Sequence, residues 1–125
     1  GKNDGDFAVL VHNAKGCGHH FFTRALGSKM PYGHPALTKF SKKMHAKVHK
    51  ELKAFLRGIK KKLPNGDIVD MFPTKGNPGR RVIRNFSKNE RTKALREFAK
   101  DFEGGDYFDN FKNELDILKE KDWLK

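Results

Sequence analysis

At 125 residues, 36% of them apolar and eleven of them Phe, the chain has material for one modest core and is too aromatic to be disordered. Its 27 Lys and Arg against 15 Asp and Glu give a formal charge of +12, which suits a polyanionic partner because neutralised phosphates release condensed counterions. The lone cysteine, Cys17, excludes a disulfide framework and an all-cysteine zinc site within the chain, and no run is long and apolar enough to span a membrane.

Asp4-Gly5-Asp6 reads as a turn, and Phe7 to Val11 as a buried strand. A second turn signal, Asn13 to Gly16, precedes a short extended stretch, Cys17 to Phe22. Gly27 to Gly33 is loop-like, and Met30-Pro31-Tyr32 inside it is a poor candidate for a second strand. The strongest periodicity follows. Leu37, Phe40, Met44, Val48, Leu52, Phe55, Leu56 and Ile59 recur in steps of three and four, which predicts a helix starting near Pro35 to Thr38 and ending at Gly58. Its other face is basic: Lys39, Lys42, Lys43, Lys47, Lys50 and Lys53. From Lys60 to Arg81 the order is loose, with a turn over Leu63 to Asp67, a possible strand over Ile68 to Phe72 and a loop over Pro73 to Gly79. Ser87 and Glu90 have capping-box spacing and predict a helix through about Phe102, with Leu95, Phe98 and Phe102 buried. Gly104-Gly105 breaks the chain. A last helix runs from about Tyr107, with Phe108, Phe111, Leu115 and Leu118 inward. The expected order is strands and loops first, then three helices, in an α+β fold.

All six histidines lie between His12 and His49. His45 and His49 stand four apart on the predicted helix, so their rings lie on one face and can share a metal ion. A His-x-x-x-His pair also occurs on plain solvated faces. Here, Met44 and Val48 place the pair at the border of the buried stripe, half sheltered and half open. His19-His20 is the second piece. In an extended stretch the two rings point to opposite sides, so one can ligate metal while the other faces substrate. Alternatively, one is a core aromatic and the other a surface residue. A neutral imidazole accepts a proton near neutral pH and suits a base that activates water.

Gly18-His-His-Phe-Phe-Thr23, a loop, and then a helix with His45-x-x-x-His49 resemble the HNH or His-Me finger nucleases. The similarity is greatest to colicin-type DNases and to the GHH, AHH and HHH toxin domains of bacterial polymorphic toxins. It covers about His12 to Phe55. It implies a ββα-metal core, about residues 7–58, of two short strands joined by a long loop and followed by a helix; additional helices, about 80–125, complete a single domain. It further implies His19, His45 and His49 as ligands to one divalent metal ion, with His20 as general base. Magnesium, zinc, nickel and manganese all serve this family; three imidazoles suit zinc or nickel better than magnesium. The family often orients its base with an Asn, and none lies between His20 and His45; His34 is the nearest substitute, or else it caps the helix beside Pro35.

The resemblance implies hydrolysis of phosphodiester bonds, usually in double-stranded DNA. Arg24, Lys42, Lys43, Arg80, Arg81 and Arg84 are candidates for holding the backbone, and Arg91 and Arg96 extend that basic zone. Contacts of this kind carry no sequence information. Cys17 is expected as a buried thiol rather than a ligand. The start of the chain lacks a signal-peptide pattern and an initiator Met, as an excised domain of a longer protein or a short cloning scar would. The resemblance implies the C-terminal toxin domain of a larger secreted or delivered protein, acting in a target-cell cytoplasm and countered by an immunity protein; an acidic one would suit the charge. Two rivals remain on the same residues. One is a non-catalytic basic nucleic-acid-binding module with a structural zinc, and the other is a ribonuclease toxin. His20 separates enzyme from module, because a closed four-ligand site has no use for a free base.

Overall fold

The computed structural model describes residues 17–31, 34, 38–72 and 79–125. The predicted strand at Phe7 to Val11, the Asn13 to Gly16 turn, His12, Tyr32, residues 35–37 of the predicted helix start and residues 73–78 of the predicted Pro73 to Gly79 loop lie outside them. The fold is α+β, as expected, with two small antiparallel sheets and helices.

Among the described residues the first strand is β1 (Cys17–His19), which pairs with β2 (Thr38–Phe40) in the register Cys17↔Phe40, Gly18↔Lys39, His19↔Thr38. Among the described residues between them is a 3-10 turn, Arg24–Leu26. Helix α1 (Lys42–Arg57) follows β2 after one residue, Ser41, whose hydroxyl accepts the Met44 N–H at 3.1 Å and caps the helix.

This corrects the predicted helix start. Phe40 fits the helical stripe by spacing, yet residues 38–40 are strand and Thr38 and Phe40 are buried on either side of exposed Lys39. Pairing with β1 decides the matter, and β-branched Thr38 and aromatic Phe40 suit it. Ser41 lacks a Glu or Gln three residues on, so its cap is a weak signal in the sequence. The second strand is therefore Thr38–Phe40 rather than Met30 to Tyr32. Met30 is instead a buried loop residue.

After α1, β3 (Lys60–Lys62) and β4 (Ile68–Asp70) form a hairpin. Three consecutive lysines gave no sign of a strand. The turn between them closes through Leu63 N–H donating to the Asp67 carbonyl at 2.8 Å and Gly66 N–H to the Leu63 carbonyl at 2.9 Å. Lys61 points inward and donates to the Asn85 carbonyl and to Glu90, both at 2.9 Å. A short helix, α2 (Gly79–Asn85), occupies part of the stretch expected as loose, so the described residues hold four α-helices where three were predicted. Helix α3 (Lys88–Asp101) begins at the Ser87–Glu90 capping box. A break at Glu103 to Gly105 with positive φ leads into α4 (Phe108–Glu120).

Helices α1, α3 and α4 bury Val48, Leu52 and Leu56; Leu95, Phe98 and Ala99; and Phe111, Leu115 and Leu118 in one core. Phe21 and Phe22, just after β1, are fully buried against Phe111, at centroid distances of 6.0 and 5.9 Å. Each such side chain contributes about 1.5–3 kcal/mol by leaving water. That burial fixes the exit of β1 against α4.

The C-terminal residues fold back on the loop after Leu26. Lys29 N–H donates to the Trp123 carbonyl at 2.7 Å and Lys125 N–H to the Gly27 carbonyl at 2.8 Å. Gly27 is required there. Its φ is 105°, and a Cβ would lie 2.4 Å from an Arg91 nitrogen. Arg91 itself is buried. It donates to the carbonyls of Phe86 at 3.0 Å, Leu26 at 2.7 Å and Lys125 at 2.6 Å. It therefore does not belong to a phosphate-binding surface, because its donors are committed to the backbone.

Candidate active site

The cap at Ser41 sets the rotation of α1, and with it the direction of His45 and His49. The two rings face each other at a centroid distance of 4.5 Å, with their Nε2 atoms 3.0 Å apart. At that distance a hydrogen bond needs one nitrogen to carry hydrogen and the other to accept it. The same geometry fits a shared ion. With metal–nitrogen bonds of about 2.05 Å, a 3.0 Å separation corresponds to an angle of about 94° at the metal. Opening to a tetrahedral angle takes only about 0.35 Å more. His45 is half-buried and lies parallel to the Phe40 ring at 6.5 Å, so β2 backs one side of the pair. His49 is exposed and faces a shallow apolar groove shared with Thr23, Leu26, Leu52, Lys53, Leu56 and Phe72. Among the described residues, no three or more His, Cys, Asp or Glu side chains converge on one metal position.

The doublet lies where β1 ends. His19 is the last residue of β1, opposite Thr38. His20 follows, half-buried, with its Nδ1 3.8 Å from Glu114 Oε1. Glu114, on α4, is fully buried. Its carboxylate accepts the Phe21 N–H at 2.9 Å and the Phe22 N–H at 2.7 Å. Three buried side-chain polar atoms lack a hydrogen-bond partner among the described residues: both ring nitrogens of His20 and the hydroxyl of Thr38. Buried polar groups are nearly always satisfied, and a catalytic role or a bound ion is among the reasons for an exception. All three belong to the doublet's own segment and the strand paired with it.

The two pieces are linked through structure. Helix α1 packs on both strands, and Thr23 and Leu26, just past the doublet, line the same groove as His49. Helix α2 packs against the Arg24–Leu26 turn, which brings the backbone positions of Arg80 and Arg81 to the doublet's side of the fold. Arg24, Lys42, Lys43 and Arg84 are exposed. His34 sits elsewhere along the loop, its ring edge-on to Trp123 at 5.7 Å.

Sequence reasoning missed Glu114. Its signal was there: Phe111, Glu114, Leu115 and Leu118 follow helical core spacing, so a carboxylate occupies an apolar stripe. Thr38 was missed because it was assigned to a helix start. Among the described residues, no helix is long and apolar enough to cross a membrane. No family model, no curated protein and no solved structure matches this chain.

Proposed function

We propose that the chain is a metal-dependent endonuclease, cutting nucleic acid with little regard to sequence and acting as a toxin domain. The observation that carries this reading is the convergence of His45 and His49, Nε2 to Nε2 at 3.0 Å, on the helix that directly follows β2, the strand paired with the one that ends at His19. The order of strand, long loop, strand and helix agrees with a ββα-metal core. The polar atoms of His20 and Thr38 that lack partners among the described residues suit a segment built to meet a ligand. A charge of +12 supplies the attraction for a phosphate backbone.

On this reading His45 and His49, with His19, hold one divalent ion, and imidazole donors favour zinc or nickel over magnesium. The chemistry such an ion supplies when bound is neutralisation of charge on the phosphodiester and on the leaving oxygen. His20 accepts a proton from water through a ring nitrogen, and the water oxygen forms a new bond to phosphorus as the bond to the leaving oxygen breaks. The leaving oxygen takes its proton from solvent. Arg24, Lys42, Lys43 and Arg84, with Arg80 and Arg81, hold the backbone. Double-stranded DNA is the proposed substrate. A delivered toxin of this kind requires an immunity protein in its producer, and an acidic one complements the basic surface.

The test is nicking of supercoiled plasmid with magnesium, manganese, zinc or nickel, with and without chelator, beside His20→Ala and a structured RNA. Metal-dependent nicking that drops at least about a hundredfold in His20→Ala is expected. No cutting of either nucleic acid with any metal, or full activity in His20→Ala, refutes the nuclease. Cutting of RNA alone reassigns the substrate.

A further inference from the structure

We propose that Glu114 positions His20, fixing which ring nitrogen carries hydrogen and which is left to accept a proton. The inference rests on His20 acting as the base. Glu114 is the one acidic side chain among the described residues that is fully buried, and it sits between the core residues Phe111 and Leu115. A carboxylate there costs several kcal/mol unless it is paired or hydrogen-bonded. Two backbone amides, those of Phe21 and Phe22, satisfy part of it at 2.9 and 2.7 Å.

Those two bonds explain how α4 grips the chain after β1. They leave unexplained why the His20 ring stands against the same oxygen. Its Nδ1 is 3.8 Å from Oε1, too long for a hydrogen bond yet with this ring nitrogen turned to the carboxylate. Both ring nitrogens are shielded, and neither has a partner among the described residues. A carboxylate offers only acceptors, so it favours hydrogen on the nitrogen that faces it. That is Nδ1. In a neutral imidazole the other nitrogen, Nε2, then carries the lone pair and is the proton acceptor. The amides that hold Phe21 and Phe22 also hold the carboxylate still, so the bias has a fixed direction. Glu114 touches no reacting atom; it acts through His20.

The test uses the full chain and two readouts. Long-range proton–nitrogen NMR of the metal-free protein reports which nitrogen of His20 carries hydrogen, with His20→Gln identifying its signals. The Nδ1–H form is expected in the parent and a shift toward Nε2–H in Glu114→Gln, whose amide keeps an acceptor for one backbone N–H but presents hydrogens as well. In plasmid cutting, Glu114→Gln should lower kcat at least about tenfold with KM little changed. Added to His20→Ala, it should lower the rate no further. An Nε2–H parent overturns the proposal, whatever the variant does. So does a Glu114→Gln protein that melts lower yet keeps both the parent's kcat and its ring form. A parent that cuts nothing sinks the nuclease reading alone, since the NMR still decides whether Glu114 sets the ring.

Discussion

Replacing Arg91 with Met removes a buried guanidinium while keeping most of its volume. Arg91 joins three segments distant in sequence: the α2–α3 junction at Phe86, the turn at Leu26 and the Lys125 carbonyl. A hydrogen bond with a charged partner contributes about 1.5–3 kcal/mol, but desolvating the guanidinium offsets much of the sum. Each backbone oxygen left without its donor costs about 1–3 kcal/mol, so losing three, offset by no longer burying the guanidinium, comes to about 3–5 kcal/mol. For a domain of this length the total stability is on the order of 6–19 kcal/mol. Arg91→Met should therefore lose a large share of it. In urea, with a slope near 2 kcal/mol per M, the midpoint should fall by about 2 M with the slope unchanged. Arg91→Lys should recover little, because one ammonium cannot span three carbonyls set apart by the planar fork. A loss below about 1 kcal/mol in Arg91→Met would refute the reasoning, and would mean that the Leu26 and Lys125 segments hold without the clamp.

Two further outcomes follow from the described geometry. Zinc or nickel at about a hundred times its dissociation constant should add about 2.7 kcal/mol to stability, roughly 8–12 °C in Tm at this size, and His45→Gln/His49→Gln should abolish the shift; an equal shift in both proteins places the ion elsewhere. At the capping box, the Lys61 ammonium and then the Ser87 backbone N–H hold the Glu90 carboxyl below its ordinary range. A lowered folded value means stability that is present at neutral pH and lost as the pH falls through the carboxylate range. Glu90→Gln keeps an acceptor for Ser87 N–H but loses the charge, so the stability gap between parent and variant should close on acidification. Because the pair is partly exposed, that gap should stay under about 1 kcal/mol and shrink with salt, whereas Ser87→Ala should cost about 1 kcal/mol at any pH. A gap that widens in acid contradicts the assigned pairing.

Local signals made much of the helical half legible. Ser87 and Glu90 fix the start of α3 by their own hydrogen bonds, Gly58 marks the end of α1, and the steps of three and four among Val48, Leu52 and Leu56 assign its buried face. The His45–His49 pairing was equally local, since two residues four apart on a helix share a face whatever surrounds them. Glu114 was visible as a carboxylate in an apolar stripe, though its partners were not.

What only the tertiary structure decided is where the chain meets itself across long intervals. Residues 38–40 have the spacing of a helix and the composition of a strand, and pairing with Cys17 to His19 chose strand. Lys60 to Lys62 has no apolar alternation, and becomes a strand because Ile68 to Asp70 pairs with it and Lys61 finds Asn85 and Glu90. Arg91 reads as one more surface cation until Leu26 and Lys125 arrive beside it from opposite ends of the chain. The same holds for His20. The sequence by itself puts two imidazoles at the end of a short extended stretch. The carboxylate that stands against the second of them comes from 94 residues further on, and no local pattern encodes a contact whose partners are joined only by folding.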